Sequence, residues 1–483
     1  MNRTIRRAAV FTLLLVFTLL VRATWVQFYD GKALADDKDN RRRAIETYAQ
    51  PLGNIIVAGG SITGSARTTS GDLKYERTYK DGRLYAAVTG YSSQVYGATQ
   101  LEGVYQDLLN GTDNRLKSPL DTITGKRAAP GDVITTIDPD VQKAAYDALG
   151  DKKGAAVAID PATGRILAVV STPSYDPTAL SSGNGKVWQQ LTRDPAKPMT
   201  NRALRQPLPP GSTFKLVVAA AALEDGLYSS VDEPTRSPDP YTLPGTTRVL
   251  TNENPGAPCR NATIRTALRY SCNNVFAKMA VDLGQDKVKA MAGKFGFNDR
   301  SQDVPVRAYP SVYPSGMDQA QTALTGIGQF DVTATPLQMA MVSAAIADNG
   351  ELVSPHMVAQ ISDGDGNVLQ NHDDHPGSKR IVSSSTAAQL QSAMRTVVEQ
   401  GTGTNARLSG VTVGGKTGTA QHGENNSQVP YAWFTSYGKS DATGKEVAVA
   451  VVVEQSDAAR SEVSGNGLAA PVARAMMRSA LRG

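Results

Sequence analysis

A serine and a lysine separated by two residues are the most informative pair in this sequence. Ser212 and Lys215 follow the turn Pro209-Pro210-Gly211, which favours the start of a helix. Residues three apart in a helix lie on one face, so the lysine amine can lie beside the serine hydroxyl. Free backbone N–H groups at the helix N-terminus favour negative charge near the serine. The pair predicts a nucleophile and its base, provided that burial or a second cation lowers the lysine pKa.

Two later motifs distinguish this pair from a chance match. The same spacing recurs at Ser436 and Lys439, and most such pairs are exposed polar residues. Here, however, Ser271-Cys272-Asn273 follows Ser212, and Lys416-Thr417-Gly418-Thr419 follows later. An S-x-x-K motif, then S-x-N, then K-T-G is the signature set of penicillin-binding proteins and serine β-lactamases. The ordered set predicts acyl transfer through a serine ester.

Composition limits the remaining possibilities. The 483 residues, 40% of them hydrophobic, are enough for two or more domains with ordinary cores. The formal net charge is +5, and the sequence contains no long basic run with interleaved aromatic residues. We therefore expect no nucleic-acid partner.

The amino-terminal residues have the pattern of an export segment. Arginines at positions 3, 6 and 7 precede an apolar run from Ala8 to Val21, so we expect the residues after it to lie outside the cytoplasm. A run this short is typical of a signal peptide, and cleavage after Ala23 is one alternative. Trp25, Phe28 and Tyr29 instead indicate an interfacial belt, and residues 8–29 would span about 33 Å as a helix. We expect residues 1–29 to be an uncleaved single-pass anchor.

Residues 30–150 form a separate region, which we call the pedestal. It contains glycine-rich turns and short β-like runs, such as residues 54–57 and 86–89. The polar run from Asn110 to Pro130 reads as a loop or linker. We find no catalytic constellation in this region, so we expect it to be β-rich and structural.

Residues 151–483 and the strand and helix just before them have the pattern of an α+β domain. The predicted elements are a strand at 133–137, a helix from Pro139 to Leu149 capped by Asp138, a hairpin of 155–159 with 165–170, strands at 431–437 and 447–453, and a closing helix at 467–481. Strands from both ends with helices between them predict one antiparallel sheet covered by helices.

With these residues in view, the chain resembles the class B penicillin-binding proteins, the monofunctional D,D-transpeptidases of bacterial cell walls. Besides the three site motifs, the resemblance rests on segments 160–168, 173–177, 201–203, 328–329, 335–338, 401–404 and 432–434, and on Leu101-Glu102-Gly103-Val104-Tyr105 in the pedestal. The compact length is most similar to the short actinobacterial members. Two departures concern only the pedestal: Gln100 precedes Leu101 where a glycine is usual, and Gly60-Ser61-Ile62 only partly matches its motif.

The resemblance implies a role for each site residue. Ser212 attacks a D-Ala-D-Ala stem peptide, Lys215 accepts its proton, Ser271 relays a proton to the leaving amine, and Asn273 hydrogen-bonds the lysine and the substrate. Lys416, a like charge, helps to keep Lys215 neutral. Thr417, Gly418 and Thr419 lie on an edge strand that binds the extended peptide. Backbone N–H groups of Ser212 and Thr419 form the oxyanion hole.

The remaining candidate sites have plainer interpretations. Cys259 and Cys272, the only cysteines, predict a disulfide in an exported domain, with two buried free thiols as the alternative. His372-Asp373-Asp374-His375 could bind a metal, but a solvated polar loop explains it better. We expect no metal and no cofactor.

Three other functions compete with a transpeptidase that β-lactams inhibit. A β-lactamase would be much shorter and lack the anchored pedestal. A D,D-carboxypeptidase usually carries its extra domain after the catalytic fold, not before it. A non-catalytic scaffold that binds stem peptides would not need the complete set of motifs. The pedestal is too short for a glycosyltransferase, so the resemblance implies a membrane glycan polymerase of the SEDS type as partner.

Overall fold

The computed structural model describes residues 3–30, 45–70, 73–117, 128–372 and 377–482. The three motifs around Ser212, Ser271 and Lys416 lie entirely within these ranges. Two sequence predictions lie partly outside them. The linker between Asn110 and Pro130 is described only at its ends, and residues 373–375 of the histidine-containing loop are not described.

Strands and α-helices both occur throughout the described part of the chain. The strands are β1 Ile55–Ile56, β2 Ile62–Thr68, β3 Tyr75–Tyr79, β4 Ser92–Ser93, β5 Gly97–Ala98, β6 Asp132–Thr135, β7 Lys153–Ile159, β8 Ile166–Thr172, β9 Tyr241–Thr242, β10 Val249–Leu250, β11 Glu351–Val353, β12 Val358–Ser362, β13 Val368–Asn371, β14 Ser378–Arg380, β15 Val411–Ala420, β16 Tyr431–Ser440 and β17 Glu446–Gln455. The helices are α1 Arg3–Trp25, α2 Gly82–Thr89, α3 Gln100–Val104, α4 Gln106–Leu109, α5 Pro139–Leu149, α6 Thr178–Ser181, α7 Gly185–Arg193, α8 Arg202–Arg205, α9 Lys215–Glu224, α10 Ile264–Tyr270, α11 Asn273–Leu283, α12 Gln285–Lys294, α13 Gln319–Thr325, α14 Pro336–Ala347, α15 Ser384–Gln400 and α16 Ala470–Ala480.

A five-stranded antiparallel sheet forms the centre of the larger part of the chain. Its strand order is β15-β16-β17-β7-β8, so strands from both ends of this region meet in one sheet, as predicted. The central strand β17 is buried from Val447 to Val453, which explains its continuous apolar run. Strand β15, which carries Lys416, lies at the edge.

Helices cover both faces of this sheet. Along β17, Val449 and Val451 pack in one apolar cluster with residues of α5 and α16, whereas Ala450 and Val452 pack in a second cluster with α14. Successive side chains of a strand point to opposite faces, so the alternation places one helical layer on each side. Helix α14 is buried along its whole length. The predicted α+β fold is confirmed.

A second, six-stranded sheet has the order β13-β12-β6-β1-β2-β3. Four of its strands come from the first 135 residues, which agrees with a β-rich pedestal, but β12 and β13 come from residues 358–371. Strand β12 pairs antiparallel with β6, and β6 pairs parallel with β1. This sheet therefore joins chain segments that are more than two hundred residues apart.

The structure corrects one secondary-structure prediction and adjusts another. Residues 86–89, predicted as β-like, form the end of helix α2, where Tyr85 and Val88 are buried in the core and Gly90 ends the helix. The closing helix begins as a π-helical turn at Gly465–Ala469 and is α-helical only from Ala470. In contrast, α5 begins as predicted, because the Asp138 carboxylate accepts the N–H groups of Asp140 and Val141.

Helix α1 is the segment that could cross a membrane. It is the one helix of the described residues that is long and apolar enough, and its apolar window is not buried by the rest of the protein. The rings of Trp25 and Tyr29, just after the apolar run, stack at 4.5 Å. A helix of this length and composition is consistent with a single-pass anchor.

Candidate active site

Ser212 lies in a tight turn that the neighbouring chain holds from two sides. Residues Gly211–Phe214 form a 3₁₀ turn, and the α-helix proper begins at Lys215. The N–H of Gly211 donates to the carbonyl of Gly328 at 3.0 Å. Gly211 has φ +54° and leaves no spare room, since a Cβ there would lie 3.1 Å from the Cβ of Ala420 at the end of β15. Residues three apart are also neighbours in a 3₁₀ turn, so Ser212 and Lys215 still share one face.

The Lys215 amine is fully buried and points at the S-x-N motif. Its Nζ lies 2.8 Å from the Ser271 carbonyl oxygen, 2.8 Å from Asn273 Oδ1 and 3.2 Å from Ser271 Oγ. Among the described contacts, no hydrogen bond joins it to Ser212. The predicted contact between Lys215 and Asn273 is therefore present.

Ser271 lies between the two buried lysines. Its Oγ is 3.2 Å from Lys215 Nζ and 3.1 Å from Lys416 Nζ. It ends helix α10 with φ +59°, an unusual conformation for a residue with a side chain. Such backbone strain occurs where the surroundings fix a functional residue. Ser271 can pass a proton between the two amines.

Lys416, Thr417, Gly418 and Thr419 lie on the edge strand β15, as predicted. The fully buried Lys416 amine donates to Ser271 Oγ and to the carbonyl of Thr417 at 2.9 Å. Gly418 packs against the nucleophile turn, because a Cβ there would lie 2.9 Å from the carbonyl oxygen of Pro210. The K-T-G strand and the Ser212 turn therefore pack directly against each other.

Burial sets the charge state of the two amines. It lowers the pKa of Lys215 well below its ordinary value, and the positive charge of Lys416 lowers it further. Burial also lowers the pKa of Lys416 to about 7. The negative charge of Glu253 opposes both changes. The sequence prediction that Lys215 needs a lowered pKa is thus met by burial first and by a second cation next.

Sequence reasoning missed three residues that hydrogen-bond the motifs, at positions 251, 252 and 402. Asn252 Oδ1 accepts the N–H of Asn273 at 2.6 Å, and Asn273 Nδ2 donates to the Thr251 carbonyl at 3.0 Å. On the other side, the hydroxyls of Thr402 and Thr417 lie 2.7 Å apart. No local spacing in the sequence links residues 251–253 to Ser271, so only the folded chain identifies them.

The two cysteines form the predicted disulfide. Cys259 and Cys272 are bonded, with Cα atoms 5.6 Å apart, and both are buried. Since Cys272 lies between Ser271 and Asn273, the bond ties the S-x-N motif to the segment that carries residues 251–253. The alternative, two buried free thiols, is therefore wrong.

Removing this bond is expected to lower stability. The double variant Cys259→Ser/Cys272→Ser frees a loop of thirteen residues in the unfolded chain, which corresponds to about 3 kcal/mol in the chain-entropy model. Thermal unfolding should show a lower melting temperature for the variant than for the oxidised protein. Reduced wild type should melt like the variant. Equal melting of oxidised and reduced wild type would contradict the assignment.

Comparison with known proteins indicates the same family as the three sequence motifs. Residues 154–478 match the family described as penicillin binding protein transpeptidase domain, and residues 52–133 match the penicillin binding protein A dimerisation domain. The chain is 37% identical over 503 aligned positions to the peptidoglycan D,D-transpeptidase PbpA of Mycobacterium tuberculosis, covering 100% of both chains. It is 37% identical to the protein of that name from Mycolicibacterium smegmatis, covering 100% of this chain and 99% of that one. The solved penicillin G acyl-enzyme complex of penicillin-binding protein A from M. tuberculosis superposes with a TM-score of 0.81 at 37% identity, over 90% of this chain and 100% of the other.

Proposed function

The chain belongs to the class B penicillin-binding proteins, and we propose that it is a peptidoglycan D,D-transpeptidase that works through an ester on Ser212. The observation that carries the assignment of residues is the cluster of one turn serine, two fully buried lysine amines and a second serine between those amines. Such a cluster can activate a hydroxyl without a histidine or a metal ion. The substrates are stem peptides that end in D-Ala-D-Ala, and β-lactams are covalent inhibitors.

The first half-reaction transfers the peptide to the enzyme. Ser212 Oγ attacks the carbonyl carbon of the penultimate D-Ala, and neutral Lys215 accepts the hydroxyl proton. The negative oxygen of the tetrahedral intermediate is stabilised by the N–H groups of Ser212 and Thr419, each worth about 3 kcal/mol. The peptide C–N bond then breaks, and Ser271 passes a proton to the nitrogen of the departing D-Ala.

The edge strand supplies substrate binding. An extended peptide adds beside β15 through main-chain hydrogen bonds. Lys416 and the hydroxyls of Thr417 and Thr419 bind the terminal carboxylate of the stem peptide until the terminal D-Ala leaves. Gly418 keeps the strand close to the Ser212 turn. A β-lactam follows the same first step, but its leaving nitrogen stays tethered to the acyl group.

Product analysis tests this function. The full chain in detergent should convert a D-Ala-D-Ala peptide and a peptide amine into a cross-linked dimer, with one D-Ala released for each bond formed. Mass spectrometry distinguishes the outcomes. D-Ala release without a dimer would favour the D,D-carboxypeptidase alternative, and neither product nor β-lactam adduct would favour the scaffold.

We also propose a topology and a division of the chain. Residues 1–29 form the cytoplasmic stub and anchor, 30–150 the pedestal, and 151–483 the catalytic domain outside the cytoplasm. The three arginines in the first two turns of α1, before its apolar run, support this orientation, because positive charge is retained on the cytoplasmic side. Since the pedestal is too short for a glycosyltransferase, a SEDS-type polymerase in the same membrane supplies the glycan.

The proposed anchor predicts where the protein is found after membrane fractionation. Full-length chain should remain in the membrane pellet after an alkaline wash, whereas a chain beginning at residue 30 should appear in the supernatant, because α1 is the apolar attachment. Immunoblotting of the two fractions measures the result. Recovery of a soluble mature protein that begins near Thr24 would show instead that α1 is a cleaved signal peptide.

A further inference from the structure

One loop outside the three motifs contacts the S-x-N motif directly. Its residues 251 and 252 hydrogen-bond Asn273 through the Thr251 carbonyl and the Asn252 side chain, at 3.0 and 2.6 Å. Asn273 Oδ1 in turn accepts from Lys215 Nζ at 2.8 Å. The backbone before Glu253 is therefore separated from the catalytic amine by a single side chain.

The same loop is held again six residues later. Cys259 is bonded to Cys272, and the buried Asn274 donates its Nδ2 to the Cys259 carbonyl at 2.9 Å. Between these two attachments, the Glu253 side chain is exposed to solvent. In the described part of the chain its carboxylate forms no hydrogen bond and no ion pair. The backbone is thus fixed while the carboxylate stays available to a ligand.

The negative charge of the Glu253 carboxylate acts on the catalytic site. Glu253 is the acidic residue whose negative charge acts on both Lys215 and Lys416. The N-terminal end of α9 adds positive potential at the site, as does Lys416 while its amine is protonated. An incoming cation is therefore attracted most strongly near the Glu253 carboxylate.

We propose that Glu253 binds the protonated acceptor amine of the second stem peptide and so directs the acyl-enzyme toward cross-linking instead of hydrolysis. The inference rests on the proposed transpeptidase function. Two observations on the chain carry it: the loop contacts that fix residue 253 next to Asn273, and the free, exposed carboxylate of Glu253, whose negative charge acts on both site amines.

The chemistry explains why an amine needs this help and water does not. At neutral pH a primary amine arrives as an ammonium ion and releases one proton to solvent before it attacks. The neutral nitrogen then forms a C–N bond to the ester carbonyl and becomes positively charged again, a charge that the Glu253 carboxylate stabilises. The C–O bond to Ser212 breaks, and the second amine proton passes from this nitrogen to the serine oxygen. Water enters uncharged, so Glu253 does not concentrate it.

The partition of one acyl-enzyme measures this effect. A D-alanyl thioester serves as the acyl donor to the full chain in detergent, and Nα-acetyl-lysinamide or methanol competes with water for the ester. We expect Glu253→Gln to lower the ratio of lysinamide product to hydrolysis product by about two- to five-fold, the range for an exposed ion pair. Glu253→Asp should retain most of the ratio. Because both products come from the same ester, any change in the acylation rate cancels.

Matched controls make each outcome decisive. Glu424 is also an exposed glutamate near the end of β15, and Glu424→Gln should leave the ratio unchanged. The methanol ratio should be unchanged in every variant, since methanol carries no charge. An unaltered lysinamide ratio in Glu253→Gln, an equal fall in Glu424→Gln, or an equal fall with methanol overturns the proposal. Failure of the wild type to form any ester with the thioester or with penicillin overturns the proposed function itself.

Discussion

Replacing Ser212 with alanine is expected to abolish covalent labelling by penicillin. The variant lacks the hydroxyl that we propose forms the ester, and loss of the nucleophile in a serine protease costs about six orders of magnitude in rate. Intact-mass measurement should show a single penicillin adduct on the wild type and none on Ser212→Ala. The substitution removes one oxygen from a side chain that is 5% exposed, so folding should be preserved.

Ser436 provides the matched control for this experiment. It heads the second S-x-x-K match, but its hydroxyl is buried in the sheet and lies 3.4 Å from the Val449 carbonyl. Ser436→Ala should therefore label like the wild type. Labelling that persists in Ser212→Ala would mean that another residue is the nucleophile.

Lys215→Arg is expected to acylate almost as slowly as Lys215→Ala. Arginine keeps a positive charge but cannot be deprotonated in a protein, so it cannot accept the Ser212 proton. General-base catalysis contributes about 10²- to 10⁴-fold, and both variants should lose acylation rate in that range. Stopped-flow kinetics with a chromogenic β-lactam measures the second-order rate constant.

Lys439→Arg controls for the substitution itself. Lys439 is the lysine of the second S-x-x-K match, is exposed and pairs with Glu446 of the neighbouring strand β17 at 2.7 Å, so an arginine there should leave the acylation rate unchanged. A Lys215→Arg variant that kept most of the rate would show that Lys215 only positions Ser212. Ser271 or a water molecule would then have to be the base.

The sequence predicts the parts of this fold that local pattern determines. The hairpin β7–β8 follows from two apolar runs around a turn, and α5 follows from Asp138 and Pro139. The candidate site residues could be named from the sequence because the motif order specifies them without any knowledge of their distances. The edge position of Lys416 was predicted from the resemblance and is confirmed.

Pairing between segments that are distant in sequence is the part of the fold that the sequence does not predict. Nothing near Val358 indicates that β12 joins the sheet of the pedestal, because the partner β6 lies more than two hundred residues earlier. Residues 86–89 contain alanine, valine and threonine in a run too short to distinguish strand from helix, and packing of Tyr85 and Val88 decides for the helix. Glu253 likewise acquires its place from contacts of its neighbours, not from its own surroundings in sequence.

The pH dependence of acylation tests most directly the claim that a buried, neutral Lys215 is the base. The second-order rate constant for a β-lactam should rise with pH through an apparent pKa well below the ordinary lysine value of about 10.4, because burial and the charge of Lys416 both lower the pKa of Lys215. Lys416→Ala removes a like charge, so the rising limb should move to higher pH in that variant. A wild-type rate constant that rises only near pH 10, or a limb that Lys416→Ala leaves in place, would contradict the account.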